Sequence, residues 1–493
     1  MSQSSSDCHT RPHKTSRFFP MLGLLALFLM LSSSGAWASN SRYIVVFREG
    51  TLPVVQNRII ALSGSTIVQR LPLVDAIVIE LPLGGSIRSP VLSPAQVALN
   101  FLLHRPEVET VEVDVVITAP SETAATGSAQ GTTIAPANSP AQSEGGYTWS
   151  LHQIDLDVVP WDIQGHGVQI AILDTGIDPS HPQLAGAVVG GYNARARENP
   201  GDYMDHNGHG THVAGIIAAR ADQQYALQVM RGVAPQASLY AVRVLDDTGG
   251  GYVSDLVNGL SWVDQHPTIR LVNMSVGFYQ GSAALNRVVK RLYTMGVVMV
   301  ASAGNCDVVA ASSEGGESEG GESTTSTDVQ GCQGAKPMYP AAYPETIAVG
   351  ATDNHRNVTY YSITGSYVDV VAPGGSHRTR MVLSTTTTSP SSTVISGAAA
   401  SEGGESEGGE SEGGESVSSV NAGLYGWASG TSQAAPHVTG IVALMRSVNP
   451  LLTPANVRSI LQQTTLALNA PREAQGAGLV NAPRAVTKAK IWR

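Results

Sequence analysis

The chain has 493 residues and a formal net charge of −10 at pH 7. This length exceeds one ordinary domain, so we expect two folded units, a linker and a signal segment. Two runs of a Ser-Glu-Gly-Gly-Glu repeat, residues 313–323 and 401–416, contain four and six Glu, which together equal the net charge. The rest of the chain is balanced, which excludes a basic nucleic-acid footprint and an acidic partner-binding face.

Residues 1–38 have the pattern of an export signal. Basic residues precede an apolar run at 21–31, and a small-residue cleavage site follows at 36–38. The run is too short to favour a membrane span, although a permanent N-terminal anchor stays an alternative. We therefore expect a secreted, extracellular protein. Removal of the signal leaves Cys306 and Cys332, which we expect to pair in an oxidising compartment unless they are two unrelated buried thiols.

Residues 41–117 are predicted to form a small α+β unit. The predicted strands are residues 43–47, 76–81 and 111–116, and the predicted helix is residues 94–104. Without a chemical motif, an ordinary small binding domain stays an alternative. Residues 118–146 are rich in Ala, Ser, Thr, Gly and Pro and lack an apolar period, so they are predicted to be a linker.

Residues 147–493 alternate buried strands with helices. The predicted strands are residues 168–173, 238–245, 269–276, 296–303 and 346–351, and the predicted helices between them are 253–265 and 283–295. This alternation predicts an α/β fold, a doubly wound parallel sheet with helices on both faces.

Three residues of this part point to nucleophilic catalysis. Asp174 follows a buried strand, and His209 lies between two glycines at the start of a small-residue helix. Pro436 belongs in the first turn of a helix, which predicts that a long apolar helix begins near residue 431 or 432 and sets Ser432 at its N-terminus. A lone Ser before a helix is usually an N-cap, but Asp, His and Ser together are the parts of a catalytic relay.

These residues lie in Asp-Thr-Gly, His-Gly-Thr-His and Gly-Thr-Ser motifs. In residues and in order the motifs resemble the subtilisin family of serine proteases, from about residue 147 to the C-terminus. The resemblance implies acyl transfer, in which His209 takes the hydroxyl proton of Ser432 while Asp174 orients the imidazole. It also implies low activity at acid pH, where the imidazole is protonated.

The resemblance assigns further site residues. Asn305 matches the family's oxyanion-hole Asn, although an Asn after Gly is commonly a turn residue. The positions that match the family's substrate-binding edges and the wall of its pocket are Gly249, Gly250, Gly251, Ser275, Val276, Gly277, Ser302, Ala303 and Gly304. An extended peptide would add as a strand between the two edges. Without the relay, the triple glycine would be interpreted as a flexible loop.

Residues 41–117 are similar to the inhibitory propeptide of the same family. The hypothesis is therefore a secreted serine endopeptidase, made as a self-processed zymogen, that cleaves protein or peptide substrates. Its own propeptide would be an intramolecular inhibitor. We expect a monomer with no nucleic-acid partner.

Some positions depart from the family pattern. Gln183 follows His181 and Pro182, where the family often has an Asp calcium ligand, so structural calcium is possible but unsupported at Gln183. The chemistry itself is expected to need no cofactor. The acidic repeat runs are absent from the family pattern, and their composition predicts disordered loops.

Two other classes of function stay open. His206, His209 and His212 recur every three residues as in a metal-dependent hydrolase, but no His-Glu-x-x-His motif occurs. A catalytically silent binding protein on the same fold is the second alternative, although no member of the relay is substituted. His212 and His437 are expected to be structural, because neither completes a relay.

Overall fold

The computed structural model describes residues 42–82, 92–119, 135–136, 149–220, 231–306, 332, 334–387 and 424–492. The predicted signal, most of the predicted linker and both acidic repeat runs lie outside these residues. None of the helices described is long and apolar enough to cross a membrane.

The N-terminal unit is a four-stranded antiparallel sheet with two helices, in the order β2-β3-β1-β4. Its elements are β1 (Arg42–Phe47), α1 (Pro53–Ser63), β2 (Thr66–Leu71), β3 (Ala76–Glu80), α2 (Pro94–Leu103) and β4 (Val108–Val113). One face of the sheet packs on α1 and α2, with Val45, Ile60 and Leu102 in that core. The opposite face, including Ile44 and Val46, packs against the larger unit.

The predicted strand at residues 111–116 is confirmed for residues 111–113 but is not continuous, because the chain divides at Asp114. Strand β4 ends at Val113, and a separate strand β5 (Val116–Thr118) follows. Asp114 lies between them with its side chain fully buried, and its carboxylate is hydrogen-bonded to the larger unit. Val113 still pairs with Tyr43 in the four-stranded sheet, whereas Val116–Thr118 leaves it and pairs with Gly250–Tyr252.

The larger unit follows the predicted alternation. Before the central helix its elements are β6 (Ala135–Pro136), α3 (Trp149–Gln153), β7 (Gln169–Asp174), β8 (Val188–Asn193), α4 (His209–Ala218), β9 (Ser238–Arg243), β10 (Gly250–Tyr252), α5 (Val253–Asp264), β11 (Leu271–Met274), α6 (Ala283–Thr294), β12 (Val298–Ser302), β13 (Thr346–Thr352), β14 (Val370–Pro373), β15 (Val382–Thr385) and β16 (Tyr425–Ala428). The elements that follow are α7 (Thr431–Val448), α8 (Pro454–Thr464), α9 (Arg472–Gln475) and α10 (Ala482–Ile491).

In the part of the chain that the structure describes, seven parallel strands form the central sheet, in the order β14-β13-β12-β11-β7-β9-β8. Successive residues of β7 alternate between its two faces. Ile170 and Ile172 join the core with α4, α7 and α10, while Ala171 and Leu173 join the core with α5 and α6. The predicted fold class, a doubly wound α/β sheet with helices on both faces, is confirmed.

Helix α7 begins at Thr431, as the sequence predicts, but not for the predicted reason. Pro436 is the sixth helical residue and lies inside the helix rather than in its first turn. A proline there cannot donate to the carbonyl four residues earlier, which belongs to Ser432. That oxygen instead accepts a hydrogen bond from Ser275 Oγ at 2.9 Å.

Strand direction brings the residues of interest to one edge of the sheet. Strands β12, β11 and β7 are parallel neighbours, so their carboxyl ends lie side by side. Asp174 ends β7, Ser275 follows β11, and Asn305 lies just beyond β12. This edge is where α/β sheets place their binding sites.

Candidate active site

The buried pair of Asp174 and His209 forms the centre of the candidate site. His209 Nδ1 lies 2.7 Å from Asp174 Oδ1, and both side chains are inaccessible to solvent. The same carboxylate oxygen accepts the backbone N–H of Thr175 at 2.7 Å. Gly210 permits this approach, because a Cβ atom there would lie 3.2 Å from Asp174 Oδ1 and would also overlap the carbonyl oxygen of Gly176.

A second buried carboxylate, Asp205, holds the start of helix α4. Its Oδ1 accepts from Thr175 Oγ1 and from the N–H groups of Asn207 and Gly208 at 2.8–2.9 Å. Its Oδ2 accepts from the N–H and hydroxyl of Thr211 at 2.8 and 2.6 Å. Asp205 was not among the predicted site residues, although its place four residues before His209, at a helix N-terminus, was a possible signal.

Electrostatics at His209 favour the protonated ring. Burial alone would lower the pKa of His209, but the Asp174 carboxylate, with its hydrogen bond, and the more distant Asp205 raise the pKa above its ordinary 6.5. Nε2 of His209 is buried without a hydrogen-bond partner among the described residues. A neutral ring held in this way has a free basic nitrogen opposite the carboxylate.

Ser432 is the second residue of α7, the helix that packs against α4. The residue is fully buried, and its Oγ lies 3.4 Å from the carbonyl oxygen of Ser275. Its own carbonyl is held by Ser275 Oγ, because Pro436 cannot bond it. Two contacts with one residue therefore fix the backbone and the hydroxyl of Ser432 against the end of β11.

Asn305 is oriented by the residue before Ser432. Its Oδ1 accepts from the N–H and the hydroxyl of Thr431 at 3.0 and 2.7 Å. With Oδ1 occupied, Nδ2 points the other way and is buried with no partner among the described residues. Asn305 therefore carries an amide donor available for a developing negative charge. The role of Thr431 was not predicted, since only its position in the motif was noted.

The two predicted substrate edges flank strand β5. Gly250–Tyr252 pairs antiparallel with Val116–Thr118, and Thr118 also exchanges backbone hydrogen bonds with Gly277 at 2.8 and 3.2 Å. The N–H of Ala119 donates to the carbonyl of Gly249 at 3.3 Å. A segment of the N-terminal unit therefore lies as a strand between the glycine run and residues 275–277.

The predicted pocket wall lies at the end of β12. Ser302, Ala303 and Gly304 are buried, and the Ser302 hydroxyl has no partner among the described residues. The backbone N–H of Gly304 donates to Thr431 Oγ1 at 3.1 Å. The backbone of this wall is therefore hydrogen-bonded to Thr431, the first residue of α7.

The remaining predicted residues lie around this centre. Cys306 and Cys332 are disulfide-bonded, with Cα atoms 6.3 Å apart. Gln183 is buried, and its N–H donates to His181 Nδ1 at 3.1 Å. Within the described residues, no group of three or more His, Cys, Asp or Glu could hold a metal ion.

His212 and His437 are buried outside the relay. His212 Nε2 lies 3.1 Å from the carbonyl oxygen of Gly426, whereas His209 faces Asp174. Burial lowers the pKa of His212 to about 3 and that of His437 to about 4, so both rings are neutral at physiological pH. The two histidines of α4 thus have separate partners rather than a common ligand.

Comparison with known proteins assigns the class. Residues 165–478 match the model of the subtilase family. The chain belongs to the subtilase family.

Individual relatives agree with that class. The chain is 37% identical over 318 residues to subtilisin E of Bacillus subtilis (strain 168). These matched residues span 64% of this chain and 65% of that relative. It is 32% identical over 327 residues to thermitase of Thermoactinomyces vulgaris, covering 66% of this chain and 91% of thermitase. The crystal structure of fervidolysin from Fervidobacterium pennivorans, a keratinolytic enzyme related to subtilisin, superposes with a TM-score of 0.64 at 25% identity, covering 91% of this chain and 61% of that one.

Replacing Asn305 tests its free amide. We expect Asn305→Ala to lower kcat about 10²–10³-fold with little change in KM, because the donor would act on the transition state rather than on the bound substrate. This scale is the one known for the oxyanion-hole Asn of subtilisin. Steady-state kinetics on a chromogenic peptide measure it. Asn258→Ala is the control, since Asn258 lies on helix α5, away from the site, and its Nδ2 donates to the carbonyl of Ala194, just after strand β8. Equal losses in the two variants would contradict the assignment.

The pKa of His209 predicts the pH dependence. Only the neutral ring can accept a proton, and its pKa is raised above 6.5. Activity should therefore be low below that value and rise as the pH passes the raised pKa. The pH profile of kcat/KM measures the midpoint, with thermal unfolding as the control for acid denaturation. A profile that stays flat down to pH 5 would contradict a histidine base.

Proposed function

We propose that this protein is a serine endopeptidase that acts through an acyl-enzyme. The observation that carries the proposal is the buried His209, whose Nδ1 is held 2.7 Å from Asp174 while Nε2 is unpaired among the described residues. That arrangement suits a base, and Ser432 on the adjoining helix supplies the hydroxyl.

In the proposed first step, His209 Nε2 takes the proton of the Ser432 hydroxyl while Oγ bonds to the peptide carbonyl carbon. The Asn305 amide and the Ser432 N–H stabilise the resulting oxyanion. His209 then gives the proton to the leaving amine as the C–N bond breaks, and water repeats the sequence on the acyl-enzyme. All of these groups belong to this chain, so the proposed chemistry calls for no cofactor. Structural calcium near Gln183 has no support.

We further propose that the N-terminal unit is an inhibitory propeptide. Its strand β5 (Val116–Thr118) pairs with Gly250–Tyr252 on one side and, through Thr118, with Gly277 on the other. This is the pairing expected of a bound substrate that adds as a strand. While this segment fills the cleft, another peptide cannot enter.

Two carboxylates support this role, because each caps a helix of the larger unit. Glu112 Oε2 accepts from the N–H of Ala283 at 2.8 Å, at the start of α6. Asp114 accepts from the N–H and hydroxyl of Ser254 at 2.9 and 2.8 Å, at the start of α5. Negative charge is stabilising at helix N-termini, so these two contacts hold the N-terminal unit in a fixed position against the larger unit.

The proposal extends to location and assembly. An export signal at residues 1–38 and a disulfide between Cys306 and Cys332 suit an extracellular protease of protein or peptide substrates. We propose a monomer, in which the inhibitor and the cleft belong to the same chain.

Mass spectrometry of the secreted protein tests the proposal. We expect a serine-directed phosphonate to label Ser432 and the mature N-terminus to lie beyond Ala119. Labelling should be unaffected by a chelator. Hydrolysis that a chelator abolishes and the phosphonate does not touch would indicate a metal-dependent hydrolase. A chain that is neither labelled nor processed would indicate a silent binding protein.

A further inference from the structure

Met338 occupies the space between the ends of two neighbouring strands. A Cβ atom on Gly277 would overlap the Met338 Sδ atom, and a Cβ atom on Gly304 would lie 2.6 Å from it. Only 5% of Met338 is exposed. The thioether therefore lies against both glycines, between the segment that follows β11 and the segment that follows β12.

This space opens next to the proposed nucleophile. On one side, the carbonyl oxygen of Ser275 lies 3.4 Å from Ser432 Oγ. On the other side, the Gly304 N–H donates to Thr431 Oγ1 at 3.1 Å. We expect a substrate whose scissile bond lies at Ser432 to have its preceding residue beside Ser275, and the side chain of that residue to enter between the two segments.

The backbone of Met338 is held in place. Phe278 and Tyr339 exchange backbone hydrogen bonds at 2.8 and 3.0 Å, and the Met338 carbonyl accepts from the Ala342 N–H at 2.9 Å. Ile363 Cδ1 closes the same space, since a Cβ atom on Gly304 would lie 2.9 Å from it. The side chain therefore fills a fixed position and can yield only by changing rotamers.

We propose that Met338 fills the pocket for the side chain before the scissile bond and makes the enzyme selective for small residues there, such as Gly, Ala and Ser. This inference rests on the proposed function. The chain's own segment at the cleft agrees with it, because Thr118 and Ala119, which are hydrogen-bonded to the two edges, carry no large side chain.

Two peptide p-nitroanilides that differ only in their last residue, Ala or Phe, test the proposal on the secreted, processed protein. We expect the wild type to prefer Ala to Phe at least 10-fold in kcat/KM, the low end of what misfit in an apolar pocket is worth. Met338→Gly should raise kcat/KM for Phe at least 10-fold, mainly through KM. Met338→Leu, of similar volume, should keep the wild-type ratio.

Two results would overturn the proposal: a wild type that cleaves the Phe peptide as fast as the Ala peptide, or a Met338→Gly variant with an unchanged ratio. Active-site titration with a small phosphonate corrects each rate for the folded fraction, and the smaller change Met338→Ala serves if Met338→Gly does not fold. Failure of the proposed function is distinct, because then no variant would cleave either peptide or bind the phosphonate.

Discussion

Ser432→Ala is expected to abolish peptide hydrolysis and self-processing. The fall in kcat should be about 10⁶-fold, the scale known for the serine of this triad in subtilisin. The variant loses only one oxygen from a buried helix start, and the Ser275 contact to the carbonyl of residue 432 remains. The full chain should therefore accumulate with its N-terminal unit still attached, as measured by mass spectrometry and by single-turnover kinetics.

Ser447→Ala is the matched control for that experiment. Ser447 lies on the same helix, and its hydroxyl donates to the Leu444 carbonyl at 2.8 Å, away from the site. It should be processed and active like the wild type. Processing of Ser432→Ala at the wild-type rate in highly purified material would remove Ser432 from the mechanism.

Asp174→Asn is expected to lower kcat about 10⁴-fold, the scale measured for the same change in a serine protease triad. In the wild type, the Asp174 carboxylate accepts the Nδ1 proton of His209 at 2.7 Å. An amide NH₂ in its place would donate to Nδ1, so the ring proton would move to Nε2, which could no longer accept the proton of Ser432. Initial rates with a chromogenic peptide measure the loss.

Phosphonate labelling gives the second readout for Asp174→Asn. Labelling of Ser432 should slow in parallel with hydrolysis, because both need the same base. Thermal unfolding distinguishes this from general damage, since the substitution keeps the shape of a fully buried side chain. A folded variant with wild-type rates would show that Asp174 does not set the tautomer of His209.

The strands that the sequence predicted well are those buried on both faces. Strands β7 and β12 each contain an unbroken apolar run, Ile170–Leu173 and Val298–Ala301, and the structure has both strands within two residues of the predicted bounds. Strand β14 was missed because it is a short edge strand of only four residues ending in Pro373. Strand β8, at the opposite edge, was missed because Gly190 and Gly191 interrupt its apolar pattern.

Some features of the site could not be predicted from local pattern. The break at Asp114 depends on a hydrogen bond to Ser254, which is 140 residues away. The position of Met338 between Gly277 and Gly304 depends on three segments that meet only in the folded chain. Motifs identify residues with chemical roles, whereas the residues that orient them or fill space beside them have no sequence signature.

The proline inside α7 has a consequence for redesign. Because Pro436 has no N–H to offer the Ser432 carbonyl, the Ser275 hydroxyl supplies a hydrogen bond to that oxygen, and a residue without this donor would lose about 0.5–1.5 kcal/mol. Libraries that vary the recognition cleft should therefore leave position 275 unchanged and diversify position 338, where a change of size alters the cavity without breaking a side-chain hydrogen bond.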